Sequence, residues 1–318
     1  DWNEIYDEDM DEDEDSLRQK LKWKWPWLAR LLNKKQESEE DLGPERLPSE
    51  MADVYKKRIG RLRLRAVLVF IIGIILGYAV FAQQYNLPFP GGGENRFSAY
   101  LSVSVALACM AAVLGLDVIR DGFLGLIHMK ADATLLAAVS ILASIADGFT
   151  LLFWQNRTET MPFCVISVLS LFFAMWGTDL NRRTRRIIYR TASVEHPYLV
   201  TKDSDKWDEG NCFTKHPGPI KGFVNQVEAP DGTQRIYRRM APLLLLACLL
   251  FALLASFGGP EKGSFLWCFS ALTAASASFS ACLAYASPWS KLTRKLVKVG
   301  AVLAGWRGVS AMAGKSGI

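Results

Sequence analysis

Several common signatures of chemistry are missing from these 318 residues. The six cysteines include no Cys-x-x-Cys pair, so neither a zinc site nor a disulfide framework is indicated. Cys212 and His216 lie four residues apart, but no further ligand accompanies them. The chain opens on acidic residues rather than on a basic-then-apolar leader, which excludes a signal peptide in these residues. Because the first residue is Asp1, we expect the natural start to be missing.

Charge is also scarce in six long apolar runs, although the whole chain is 22% charged. Stretches of about 18 or more apolar residues are typical of membrane-spanning helices. We therefore predict an all-α membrane protein with six transmembrane helices, approximately Ala66–Ala82, Ser98–Val118, Thr134–Trp154, Met161–Thr178, Ala241–Gly258 and Ser264–Ser287.

The distribution of Lys and Arg predicts the orientation of these spans. The 179–240 connection carries twelve such residues, and the segment 56–65 carries six. The connections 83–97, 155–160 and 259–263 carry one each. Basic residues concentrate on the cytoplasmic side of membrane proteins, so we expect both termini and the 179–240 loop to be cytoplasmic. We therefore expect a multi-pass protein of the cell membrane, located in a bacterial plasma membrane.

These patterns divide the chain into five segments. We expect an N-terminal tail, helices 1–4, a cytoplasmic loop, helices 5–6 and a basic tail, over residues 1–54, 55–178, 179–240, 241–290 and 291–318. The first fifteen residues contain ten acids and no base, which indicates a disordered segment and a candidate contact for a protein partner.

A basic and aromatic segment follows the acidic run. Trp23, Trp25 and Trp27 alternate with Lys and Arg between residues 16 and 35, a pattern typical of a membrane surface with anionic lipid. A plain solvated linker is the equal alternative. Nucleic-acid binding is disfavoured by the membrane context, so the bilayer is the expected partner.

Asp147 is the acid that lies well inside a predicted span. An ionisable group at that depth costs several kcal/mol unless it is paired or hydrated, which makes it a candidate functional residue. The alternative is that the third helix ends near residues 146–148 and that Asp147 is interfacial.

The sixth span carries small polar residues among alanines. Ser276 and Ser280 are separated by four residues, which would place them on one helix face near Thr273 and Cys282. Such a face could line an ion path for a hard, divalent cation, because hydroxyls are harder ligands than thiolates. Tight helix packing is the favoured alternative, since small residues let helices approach closely.

Two stretches resemble the membrane region of heavy-metal-type P-type ATPases. The first runs from DVIRDGFLGLIHMKADATLLAAVSILASIADGFTLLFW to a helix ending WGTDLNRRTRRIIYR, with Gly177, Leu180, Arg185 and Arg186 in comparable places. The second runs from RMAPLLLLACLLFALLAS to a tail in which Ala286-Ser287-Pro288 precedes Val299-Gly300-Ala301-Val302. The resemblance covers about residues 56–310 and implies cation-transport ancestry.

The departures from that family concern its chemistry. The position of its Cys-Pro-Cys is occupied by Phe279-Ser280-Ala281, and the 179–240 loop contains no Thr-Gly-Glu. Asp-Lys-Thr-Gly is also absent. The chain as it stands is therefore expected to have no ATPase activity, no cofactor and no confident metal site. It is either a fragment of a P-type ATPase or a reduced homologue, and a non-catalytic membrane scaffold is the alternative function.

Overall fold

The structure is a computed structural model that describes residues 47–85, 96–128, 130–154, 160–194, 197–203, 212–217, 222–258 and 265–312. These residues belong to one compact unit that begins at Leu47. In chain order its elements are α1 Pro48–Ile59, α2 Leu62–Gln84, α3 Arg96–Leu114, α4 Leu116–Ile127, α5 Ala133–Trp154, α6 Cys164–Ala192, β1 Tyr198–Asp203, β2 Cys212–Pro217, α7 Phe223–Glu228, α8 Gly232–Gly258, α9 Phe265–Ser276, α10 Ala281–Ala284, α11 Ala286–Lys298 and α12 Gly305–Met312.

Six helical segments are long and apolar enough to cross a membrane, as the hydropathy of the sequence predicts. They are Pro48–Gln84, Phe97–Leu114, Ala133–Trp154, Cys164–Ala192, Gly232–Phe257 and Phe265–Lys298. Their most apolar windows have mean hydropathies between 1.4 and 2.5. The expected six helices of membrane-spanning length and composition are therefore confirmed.

Helices α5 and α6 form the centre of the bundle. In the most apolar window of α5, 61% of the residues are buried, against 17% in α8. α5 packs against α3, α4, α6 and α9, while α6 packs against α1, α2 and α11. Fully buried side chains such as Ile141 on α5 and Leu171 on α6 lie in the main hydrophobic core. The inward faces of these two helices are thus surrounded by protein.

Two glycines allow helices to approach closely. At Gly148 on α5, an added Cβ would overlap Val105 of α3. At Gly177 on α6, it would overlap the backbone carbonyl of Cys282 and lie 2.9 Å from the Cys282 Cβ. The side chain of any other residue would push these helices apart.

One end of the bundle carries the basic residues, and we call it the basic end. It comprises the start of α2, the last three turns of α6, α7, the start of α8 and α11. The Arg-rich stretch 181–190 continues the α6 helix to Ala192, as the sequence predicts. Helix α1 packs beside this extension, although residues 48–54 were expected to belong to a polar tail.

The loop between the fourth and fifth spans contains a β-hairpin, so the fold departs from a purely helical one. Strands β1 and β2 pair antiparallel over six residue pairs, from Tyr198 opposite Pro217 to Asp203 opposite Cys212. Tyr198 and Val200 are exposed on β1. The described part of the loop then includes the short helix α7 before α8 begins.

Candidate functional site

Asp147 lies within a continuous helix and is completely buried. α5 extends seven residues beyond it to Trp154, about 10 Å along the helix axis. The alternative in which the helix ends near residues 146–148 is therefore wrong. The neighbouring Gly148 faces Val105 and Pro162, and the Asp147 carboxylate lies within electrostatic range of the Cys164 thiol. The carboxylate is thus inside the bundle.

Three serines beside Asp147 form a hydrogen-bonded row, which we call the hydroxyl chain. The Ser167 Oγ of α6 lies 2.7 Å from the Ser140 Oγ and 2.6 Å from the Ser144 Oγ of α5. All three side chains are completely buried. Because Ser140, Ser144 and Asp147 are spaced four and three residues apart, they share one face of α5. The row of hydroxyls thus lies between α5 and α6, on the face of α5 that also carries Asp147.

The sequence analysis missed the hydroxyl chain. The spacing of Ser140 and Ser144 before Asp147 was a visible signal, since it is the spacing of one helix face. Ser167 carried no such signal. Its position opposite both serines depends on how α6 packs against α5, which one-dimensional spacing does not reveal.

The predicted polar face of the sixth span is divided by a break in the helix. α9 ends at Ser276 and α10 begins at Ala281, so residues 277–280 interrupt the span. The expectation of one continuous helix to Ser287 is wrong, and the four-residue spacing of Ser276 and Ser280 does not place them on one helix face. Ser280 is exposed, and its Oγ lies 3.1 Å from the Ser278 Oγ.

Thr273 and Ser276 bond to the backbone of their own helix. The Thr273 hydroxyl donates to the carbonyl oxygen of Phe269 at 2.8 Å, and the Ser276 hydroxyl donates to that of Thr273 at 2.9 Å. Each hydroxyl therefore donates its hydrogen bond within its own helix. This arrangement is common for hydroxyls packed between apolar helices. This geometry favours the packing interpretation for both residues.

A polar cavity of about 50 Å³ lies at the basic end, beside the helix break. We call it the basal cavity. It has room for a few water molecules by volume. Its polar lining includes Asp132, Thr178, Asn181, Asp231, Gln234 and Cys282. Of the residues predicted for an ion path, the structure therefore brings Cys282 to this cavity, whereas Asp147 lies on the same face of α5 as Ser140 and Ser144.

Two aspartates hold the helix ends around the basal cavity. Asp231 precedes α8, and its Oδ1 accepts from the Gln234 backbone N–H at 2.7 Å. The Gln234 side-chain oxygen accepts in return from the Asp231 N–H at 3.3 Å, which completes a capping box. The Gln234 amide nitrogen also donates to Asp132 Oδ2 at 3.3 Å, which links the starts of α8 and α5.

Burial raises the pKa of both aspartates above their ordinary value. Desolvation is the main cause for Asp132 and for Asp231, and the charge of Asp132 raises the pKa of Asp231 further. Their hydrogen bonds to Gln234 and the positive charge of Arg185 act in the opposite direction. The cavity therefore holds two carboxylates that bind protons more readily than exposed ones.

A second polar cluster lies near the basal cavity and is centred on Glu228. Its carboxylate accepts from the Tyr55 hydroxyl at 2.8 Å, from the Tyr189 hydroxyl at 2.7 Å and from the Arg185 guanidinium at 2.5 Å. This Glu228 cluster joins α1, α6 and α7. Its partners are tyrosines and an arginine that fill the space around the carboxylate, so it is a structural joint rather than an open binding site.

The part of the chain that the structure describes contains no cluster of metal ligands. No three His, Cys, Asp or Glu side chains come together there in a way that could hold a metal ion. His216 is exposed on β2. The predicted surface anchors Trp23, Trp25 and Trp27, and the acidic run before them, lie outside the described residues.

Comparison with known proteins adds no relative to this picture. No protein-family model, no curated protein and no solved structure matches the chain.

Proposed function

We propose that this protein is a multi-pass membrane protein that passes a small cation through its bundle by way of Asp147. The supporting observation is the completely buried carboxylate on the central helix, on the same helix face as Ser140 and Ser144 of the hydroxyl chain. An ionisable side chain within an apolar bundle is costly and commonly marks an ion or proton pathway. A bundle selected for stability alone would gain from an apolar residue at this position.

We further propose that this path derives from the membrane region of a heavy-metal-type P-type ATPase. The resemblance places Phe279-Ser280-Ala281 at the family's metal-binding tripeptide, and the break at residues 277–280 overlaps that position. An unwound segment beside a polar cavity suits ion passage better than a continuous helix does. Without the two thiolates, a hard cation or a proton is favoured over copper or zinc.

The same proposal assigns the orientation of the bundle in the membrane and the membrane in which it lies. The basic end faces the cytoplasm of a bacterial plasma membrane, where its arginines and lysines meet anionic lipid. The residues shown contain no Asp-Lys-Thr-Gly or Thr-Gly-Glu. Ion passage in the chain as it stands is therefore driven by a gradient rather than by ATP hydrolysis, and it uses no cofactor.

Replacement of Asp147 by Asn tests this function. In proteoliposomes under an imposed potential, we expect the total cation current of the purified protein to fall by an order of magnitude or more in Asp147→Asn, because the charged step is lost. Asp117→Asn is the matched control, since Asp117 is half exposed and pairs with Arg65 at 2.5 Å on the surface. Equal currents in the wild type and Asp147→Asn would exclude a path through Asp147.

A second candidate function, a non-catalytic scaffold, is favoured by the β-hairpin. Its strands pair with each other, and Tyr198 and Val200 are exposed on it. Exposed aromatic and β-branched residues on a two-stranded hairpin suit a protein partner. With a photoreactive residue at position 215, opposite Val200 on the hairpin, we expect partner cross-links that are lost in the Tyr198→Ser, Val200→Ser variant, while cation currents stay intact. An absence of cross-linked partners in the protein with the natural Tyr198 and Val200 in cells would exclude this function.

A further inference from the structure

We propose that the ion passed along Asp147 is a proton, and that the hydroxyl chain carries it. This inference rests on the proposed function, because it names the ion for the same site. It begins from the three Oγ atoms of Ser140, Ser167 and Ser144, which lie within 2.7 Å of their neighbours in the middle of the bundle.

The distances between the hydroxyl oxygens exclude a metal ion from the space between them. Magnesium and calcium need about six to eight oxygen ligands at roughly 2.0–2.6 Å from the ion. Two oxygens that both contact such an ion are normally about 3 Å or more apart, because they repel each other around it. The Oγ atoms here are 2.6 and 2.7 Å apart and bond directly to each other. The hydroxyl chain is therefore closed to a metal ion unless the helices separate.

The same distances suit proton transfer. A serine hydroxyl has one proton to donate and lone pairs to accept another, so it can pass a proton without changing its own state. In the inward-to-outward direction, Ser140 receives a proton and donates its own to Ser167, which donates to Ser144. Each oxygen forms one O–H bond and breaks one. Ser144 then donates its proton to the Asp147 carboxylate. A hydronium ion supplies the proton that Ser140 receives, and water accepts the proton that Asp147 releases, which returns the carboxylate to its charged form.

Asp147 is positioned to end this relay. It lies three residues after Ser144, the spacing at which side chains on one helix face are neighbours. The side chain is completely buried. A carboxylate can accept and release a proton without moving, whereas a metal ion at the same position would need a full set of ligands around it.

Ser167 is the central member of the row, since it bonds to both other hydroxyls. Its removal is the sharpest structural test, because Ser167→Ala deletes both Oγ–Oγ contacts and changes no charge. Ser270→Ala is the matched control. Ser270 is also a completely buried serine, but its hydroxyl donates to the Trp267 carbonyl oxygen of its own helix at 2.9 Å.

The experiment uses the full chain in proteoliposomes with a pH-sensitive dye inside. A potassium diffusion potential drives protons inward, and acidification is recorded for the wild type and the variants. We expect Ser167→Ala to slow acidification by about tenfold or more, because both hydrogen bonds of the relay are lost, while Ser270→Ala matches the wild type. Ser140→Ala provides a second variant if Ser167→Ala does not give a thermal unfolding curve like that of the wild type.

A parallel measurement replaces the pH change with sodium, manganese or zinc tracers at equal pH on both sides. We expect no uptake of these ions. Uptake that depends on Asp147, without proton flux, would overturn the proton assignment and leave the proposed cation path standing. Proton flux that is equal in Ser167→Ala, Ser140→Ala and the wild type would overturn the role of the hydroxyl chain. If the wild type shows neither proton flux nor uptake of the tracer ions, the inference and the proposed function are overturned together.

Discussion

At the scale of single residues, backbone contact at Gly177 decides how closely α6 approaches the broken sixth span. Hydrogen is the only side chain that fits there, because a Cβ would meet the Cys282 backbone. The close approach places Thr178 and Cys282 on the wall of the same basal cavity. One residue without a side chain thus brings two polar groups from different helices together.

Gly177→Ala should destabilise the protein by about 1–3 kcal/mol, the usual cost of overpacking a buried contact. Gly77→Ala is the matched control, since an added Cβ at Gly77 meets no atom within 4 Å. Alanine favours helix formation over glycine, so this control should be neutral or slightly stabilised. Thermal unfolding in detergent, followed by circular dichroism, measures both variants. Equal melting temperatures for the two would contradict the close contact at Gly177.

The two aspartates of the basal cavity predict a pH dependence of stability. Burial raises their pKa in the folded state above the ordinary value of 3.8. The folded protein therefore binds more protons than the unfolded chain just above that value, and stability falls as pH rises through this window. We expect the Asp132→Asn, Asp231→Asn double variant to flatten the decline in melting temperature from pH 4 upward. Asn at position 231 retains the helix cap, because it caps as well as Asp.

Melting curves at several pH values provide the measurement. The wild type is compared with the double variant and with Asp117→Asn, whose carboxylate is half exposed. Asp117→Asn should show the same slope of melting temperature against pH as the wild type. A double variant with the same slope as the wild type would show that these two carboxylates are not the groups that titrate.

At the scale of secondary-structure elements, the Glu228 cluster attaches α1 and α7 to α6. Neither α1 nor α7 contributes a residue to the main hydrophobic core. Glu228 lies on the six-residue helix α7, which is too short to be stable alone. Its bonds reach Tyr55 on α1 and both Arg185 and Tyr189 on α6. Phe223 and Val224 of α7 are buried against the same helices. The cluster therefore determines where the loop joins α8.

Glu228→Gln should loosen this joint. The substitution keeps the size of the side chain but removes the charge that Arg185 pairs with, at an expected cost of about 1–2 kcal/mol for a part-exposed pair. Hydrogen exchange should rise in residues 223–228 and in α1, whereas the α5 core should be unaffected. Glu50→Gln, an exposed change in the first turn of α1, provides the control. Unchanged exchange in α7 would mean that apolar packing alone holds it.

At the scale of the whole molecule, the proposed orientation predicts which ends of the helices are accessible from each side. Lys215 on the hairpin and Tyr85 at the end of α2 are exposed. They lie beyond opposite ends of the predicted spans. We expect a single cysteine at position 215 to react with an impermeant reagent only in inside-out vesicles. A cysteine at position 85 should react only in right-side-out vesicles.

Labelling of the two positions from the same side would contradict the six-span arrangement. Labelling of position 215 only from outside would reverse the orientation and remove the basis for the P-type ATPase resemblance. The cysteine-free parent protein, with its six natural cysteines replaced, provides the background for both measurements.

The sequence alone determined the number and type of the spans and the continuation of the fourth helix into its arginine-rich end. Both can be predicted from the order of residues along the chain. A membrane span needs a minimum apolar length, and the residues of one helix face recur at a fixed spacing in the sequence. It also identified Asp147, since a lone acid inside an apolar run stands out without any knowledge of its neighbours.

Only the tertiary structure decided what surrounds that acid. Ser167 meets Ser140 and Ser144 because α6 packs on one face of α5, and the sequence separation of 23 to 27 residues gives no sign of that contact. The break at residues 277–280 was equally hidden, because no proline or glycine occurs there. Side-chain spacing describes faces within a helix, whereas contacts between helices depend on how those faces pack in three dimensions.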